Sequence, residues 1–137
     1  MVSGTSSFKI NRIKESLNMI SGLCLNEDEI YMLTKKNNLK ESINFILKKN
    51  KKISLAITRG NKPVLMVYDG ILYEGIVPKI KIVNENGAGD AFTSIFFLSL
   101  SAKFNPILTL TLSIALGCIN VIEYKNKNLL EFDKKFK

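Results

Sequence analysis

The stretch NENGAGDAF, Asn84 to Phe92, sets two glycines and an acid between a β-like run and an apolar run. Two glycines let the backbone take positive φ and let a ligand approach with no Cβ atoms in the way. The turn then enters an apolar segment that reads as a helix, Asp90 to Lys103, whose opening amides and dipole favour a negative charge. A phosphoryl group suits such a seat, and a carboxylate at Asp90 is placed to accept a proton from an attacking hydroxyl. The same residues also serve as a plain strand-to-helix turn with a first-turn acid. Two other phosphate loops are excluded. G-x-G-x-x-G fails because Phe92 stands at the third glycine position, and no Gly-Lys-Ser/Thr occurs for a Walker A loop.

Working outward, Asn11 to Ile20 reads as a helix and GLCL (22–25) as a short buried strand. Asn26 then has the character of an N-cap, with Glu27, Asp28 and Glu29 in the first turn where the dipole favours acids. Ile43, Ile46 and Leu47 recur at helical spacing within a helix over 39–49. The period then changes to that of strands in ISLAIT (53–58), PVLMVY (63–68), ILYEGIV (71–77) and KIKIV (79–83), with Asp69-Gly70 as a hairpin signal. Beyond the glycine turn a second helix, 106–122, begins with Asn105 as cap and Pro106 at its first position. The tail NLLEFDKKF (128–136) is patterned as a last amphipathic helix. This order predicts an α/β fold with a sheet covered by helices, organised over 1–137 as one unit.

Composition removes several chemistries. The 137 residues contain no histidine, so Ser-His and Cys-His nucleophiles and His-ligated zinc are excluded. Cys24 and Cys118 lie far apart and form no C-x-x-C pattern, which fits a reducing cytoplasm. The net charge of +8 raises a polyanionic partner, yet only Arg12 and Arg59 of the 20 basic residues are arginine. Nucleic-acid readout favours arginine, and the lysines cluster in solvated segments such as LKKNKK (47–52). A basic nucleic-acid-binding module is therefore the weaker reading. The first twenty residues hold Lys9, Arg12, Lys14 and Glu15 and no apolar block of a signal peptide. The uncharged stretch 104–122 carries Asn105, Pro106, Gly117 and Asn120 and reads as a core helix, not a membrane span.

VNENGAGDAF (83–92) resembles the second signature of the PfkB family of ribokinase-like sugar and nucleoside kinases, which usually reads Asp-Thr-Thr/Val-Gly-Ala-Gly-Asp-Ala-Phe. Three upstream features agree in order. LNEDE (25–29) is similar to the family's Asn-x-x-Glu segment, ITRG (57–60) to its strand ending in Thr-x-Gly, and YDGILYEGIVPKIKIV (68–83) to the hairpin before the signature. The resemblance implies the C-terminal, ATP-binding part of a ribokinase-like three-layer sandwich, a partial sheet flanked by helices. It implies Asp90 as the general base, and Asn86, Gly87, Ala88 and Gly89 as the anion hole for the γ-phosphoryl. Thr58 and Gly60 match residues that touch ATP phosphates, and Asn26 and Glu29 match the segment that organises Mg2+ through its waters. Helix 106–122 would wall the adenine pocket. The region 2–29 resembles that of pseudouridine and other ribonucleoside kinases.

The departures bear on function. Asn84 stands where the family usually has an aspartate supporting a monovalent-cation site, which weakens the expectation of potassium activation. Glu85 and Asn86 replace small hydroxyl residues, and Pro63 falls where a glycine is common. Family members are more than twice as long, and their N-terminal half carries the Gly-Gly substrate motif and the lid. The resemblance therefore implies an ATP-dependent phosphotransferase fragment acting on a hydroxymethyl group of a sugar or nucleoside, with a complementing N-terminal half or a homodimer as partner. The alternative from another class is a non-catalytic remnant or a nucleotide-binding partner subunit.

Overall fold

A computed structural model describes residues 2–3, 7–78 and 88–125. Strand β1 (Val2–Ser3) leads into helix α1 (Ser7–Glu15), and a 3-10 turn at Leu17–Met19 precedes β2 (Gly22–Asn26). Helices α2 (Glu27–Thr34) and α3 (Leu39–Lys49) connect β2 to β3 (Ser54–Thr58). Strands β4 (Val64–Tyr68) and β5 (Ile71–Gly75) follow as a hairpin, then helices α4 (Ala88–Ser101) and α5 (Pro106–Lys125). The five strands lie side by side in sequence order. β1, β2 and β3 run parallel, whereas β4 and β5 are antiparallel to their neighbours.

Alternation along the strands decides what each face of the sheet binds. Leu23 and Leu25 of β2, Leu55 and Ile57 of β3 and Val67 of β4 join Ile10, Ile13, Ile30, Leu33, Ile43 and Ile46 from α1, α2 and α3 in one core. The opposite parity, Cys24, Ala56, Val64 and Met66, packs with Phe92, Phe96 and Leu110 from α4 and α5. Cys24 and Ala56 are small, which leaves volume for the two phenyl rings, stacked with centroids 6.2 Å apart. The result is three layers, helices on both faces of a mixed sheet, as the α/β pattern implies.

Local signals set most boundaries. Asp69 and Gly70 take φ of 53° and 76°, the two left-handed positions of a type I′ hairpin turn, and pair Tyr68 with Ile71. The Asn38 side chain accepts from Glu41 N–H at 2.9 Å and fixes the start of α3. The Asn105 side chain does the same for α5, accepting from Leu108 N–H at 2.8 Å. The first helix differs from its expected span of 11–20. It runs from Ser7 to Glu15 and then tightens into the 3-10 turn, where the Asn50 amide donates to the carbonyls of Leu17 (3.0 Å) and Ile20 (2.7 Å). Those carbonyls are held by a side chain 30 and 33 residues away, a contact that local pattern does not contain. Helix α4 already includes Ala88 and Gly89, ahead of the expected Asp90, and the residues just before them lie outside the described ones. KIKIV (79–83) and the tail helix (128–136) lie outside the described residues.

Among the described strands, β5 lies at one edge of the sheet. Tyr73, Gly75 and Val77 face α5, but Leu72 (57% exposed) and Ile76 (82% exposed) have the other parity, and α1–α3 do not extend over them. α5 packs closely on Gly75: a Cβ there would run into Ile114 Cδ1 and would sit 3.0 Å from Leu110 Cγ. Replacing Gly75 with valine should therefore cost about 1–3 kcal/mol. Urea unfolding measures this; an unchanged midpoint would show that α5 does not pack on β5 as described.

Candidate active site

The site grows from the carboxyl ends of β2 and β3. Asn26 and Thr58 are register partners on these parallel strands. Alternation from Cys24 and Ala56 puts both on the α4 side of the sheet. Asn26 is also the N-cap of α2. Its side chain accepts from Glu29 N–H at 2.9 Å, and Glu29 Oε2 accepts from Asn26 N–H at 2.8 Å, a reciprocal capping box. The strand therefore passes directly into a helix whose first turn carries three acids.

The capping box leaves Glu29 one carboxylate oxygen outside its bond to Asn26. Burial pushes the Glu29 carboxyl upward; the Asn26 N–H pulls it back and Asp28 adds to the rise. Among the described residues no group of three or more acids or cysteines forms a metal cage. One carboxylate acting through water is compatible with Mg2+, which keeps several waters and takes the rest of its shell from phosphates.

After Thr58 the chain turns back towards β4. Lys62 N–H donates to the Arg59 carbonyl at 3.1 Å, and Gly60 takes φ of 62° at the second position of this turn. The turn needs glycine for its backbone alone, since nothing lies within 4 Å of where a Cβ would be. That leaves the Gly60 backbone open to an approaching group. Behind it, Arg59 Nε lies 3.5 Å from Glu27 Oε2, with side chains 19% and 26% exposed.

Helix α4 brings the third element. Ala88 and Gly89 are helical and stand at the N-terminal end of the described part of α4. Asp90 follows in the same turn and is exposed. One turn on, Thr93 Oγ1 donates to Cys24 Sγ at 3.4 Å, tying α4 to the middle of β2. Thus Asn26, Glu29, Thr58 and Gly60 gather at one end of the sheet, and the α4 start that carries Asp90 is anchored to the same strand, β2. Asn84, Asn86 and Gly87 lie outside the described residues. Sequence reading missed the Thr93–Cys24 and Arg59–Glu27 links. Strand alternation places Cys24 on the face of Asn26, but nothing in the sequence pairs it with a residue 69 positions away.

The family model for pfkB family carbohydrate kinases matches residues 3–127. No curated protein sequence matches the chain. Solved structures do. An Anopheles gambiae adenosine kinase in complex with P1,P4-di(adenosine-5) tetraphosphate is 27% identical over 90% of this chain and 40% of its own, with a TM-score of 0.69. A Thermotoga maritima ribokinase is 24% identical over 76% and 36%, with a TM-score of 0.67. An E. coli protein described as a ribokinase II, in complex with ATP and Mg2+, is 17% identical over 81% and 37%, with a TM-score of 0.69. The chain thus spans well under half the length of these structures. Among the described residues no helix is long and apolar enough to cross a membrane.

Burial pushes the Cys24 thiol up to about 11 from 9.0, the Thr93 bond opposing and the Glu29 charge adding to the rise. In the unfolded chain the thiol ionises first, so stability falls as pH rises between those two values and is unaffected below them. A Cys24→Ala chain should lose stability less steeply across that window, by about 1.4 kcal/mol per pH unit. Equal slopes in chemical denaturation of the two chains would contradict a buried, neutral thiol at this position. From the matched family model and the ribokinase-like architecture together, this chain belongs to the pfkB family of carbohydrate kinases.

Proposed function

We propose that residues 1–137 form the nucleotide-binding part of a kinase that transfers the γ-phosphoryl of ATP to a hydroxymethyl group of a sugar or nucleoside. The observation that carries this reading is the gathering of Asn26, Glu29, Thr58 and Gly60 beside the α4 start, with Thr93 bonded to Cys24. The open space over Gly60 supports close approach of a phosphate to backbone. The place of Ala88 and Gly89 at the N-terminal end of α4 supports a seat for the migrating group.

In this reading the acceptor oxygen attacks the γ-phosphorus and gives its proton to the Asp90 carboxylate. The new O–P bond forms as the bond to the β-phosphate oxygen breaks, and ADP leaves with that electron pair. The anion hole comprises Asn86, Gly87, Ala88 and Gly89, its amides meeting charge that grows on the equatorial oxygens. Thr58 and Gly60 hold the remaining phosphates. Mg2+, when bound with ATP, neutralises phosphate charge, and Glu29 with Asn26 orients its waters. An asparagine at Asn84 offers a neutral carbonyl where a carboxylate would better hold a monovalent cation, so dependence on potassium should be weak.

The chain covers 36% to 40% of the three structures compared above. Acceptor positioning, which contributes roughly 7–11 kcal/mol in favourable intramolecular cases, then falls to a complementing N-terminal half. This reading predicts a protein that binds MgATP alone and turns over only with that half.

Two substitutions test the assignment. Gly89→Val fills the approach to the first-turn amides and should abolish MgATP binding measured by titration calorimetry. Asp90→Asn should leave that binding within about threefold, yet lower turnover of the complemented enzyme by about 10²–10⁴. Full turnover in the Asp90→Asn chain would remove that residue from proton transfer. Wild-type calorimetry without a MgATP signal would overturn the reading as a whole.

A further inference from the structure

Glu27 and Arg59 belong to different parts of the candidate site, the first turn of α2 and the turn after β3, and they face each other. We infer that Arg59, held by Glu27, is a positioning residue that locks the Thr58–Gly60 turn to the start of α2, so that the two segments move as one body. The inference rests on the nucleotide reading of that turn for its consequence, though not for its geometry.

Both carboxylate oxygens of Glu27 are engaged. Tyr31 Oη donates to Oε1 at 3.1 Å, and Oε2 lies 3.5 Å from Arg59 Nε. Tyr31 is one turn along the same helix, so Glu27 is steadied by α2 before it meets the arginine. Arg59 in turn reaches across its own turn, Nη1 donating to the Pro63 carbonyl at 3.5 Å. Its Nε is buried and makes no hydrogen bond, so the contact with Glu27 is an ion pair alone. Drawing the pair apart would leave a mostly buried guanidinium without its counter-charge, which is the costly way to break such a pair.

The fork geometry explains why arginine stands here among so many lysines. A guanidinium addresses Glu27 through Nε and Pro63 through Nη1 at once, whereas an ammonium offers a single point of charge. Through this bridge the segment bearing Asn26 and Glu29 is coupled to the turn bearing Thr58 and Gly60. Register pairing of Asn26 with Thr58 fixes the strand ends alone. The backbone beyond Thr58 leaves the ladder, and Arg59 supplies the restraint there.

The experiment is a double-mutant cycle with Glu27→Gln and Arg59→Gln, plus Arg59→Lys, read in two ways. Amide hydrogen exchange at Lys62, whose N–H closes the turn, should quicken about three- to tenfold in every variant while β2 amides stay slow. MgATP affinity should weaken by a similar factor in each single variant and no further in the double one. Unchanged Lys62 exchange would overturn the proposal. So would multiplying losses of affinity, or an Arg59→Gln loss far above that of Glu27→Gln, since either means direct contact with the phosphates. If the wild-type chain binds no MgATP, the nucleotide reading falls, and the exchange measurement still decides whether the clamp exists.

Discussion

The reciprocal cap between Asn26 and Glu29 is the constraint from which the candidate site follows. Asn26 is at once the last residue of β2 and the cap of α2, so strand and helix meet with no loop between them. Its backbone is committed to the ladder with Thr58, its amide N–H to Glu29, and its side chain to the helix. With so many bonds on one residue, the end of the sheet cannot slide relative to α2. The acids that follow are then delivered to the same end as the Thr58–Gly60 turn.

The opposite face supplies the second requirement, a helix start held against that end. Small residues at Cys24 and Ala56 admit Phe92 and Phe96, and the Thr93 hydroxyl completes the contact at the buried sulfur. Aromatic burial, not charge, therefore sets where the exposed carboxylate of Asp90 stands. An apolar anchor one turn deeper in the helix leaves that carboxylate at the surface.

The β5 edge belongs to a different problem. Leu72 and Ile76 continue the apolar parity that Leu65 and Val67 bury on β4, but the helical layer stops short of them. Strand alternation prescribes apolar residues on that face without regard to whether a cover exists. Their exposure is a property of layer width, which is a matter of how many helices the connections supply.

Much of this was legible in the residues themselves because the signals are local. Asp69-Gly70, Asn38, Asn105 and the acids after Asn26 each act on backbone within four positions, so the turn and three helix starts are readable one at a time. The glycine-acid turn at 87–90, with its ordered neighbours, pointed to the family for the same reason. What the tertiary structure alone decided depends on partners distant in sequence: Asn50 holding the carbonyls of Leu17 and Ile20, Cys24 holding Thr93, and Glu27 facing Arg59. Chain order carries no record of such pairs. They come into being only when two strands and the helices on either side have packed, and a side chain finds its partner across the space that packing defines.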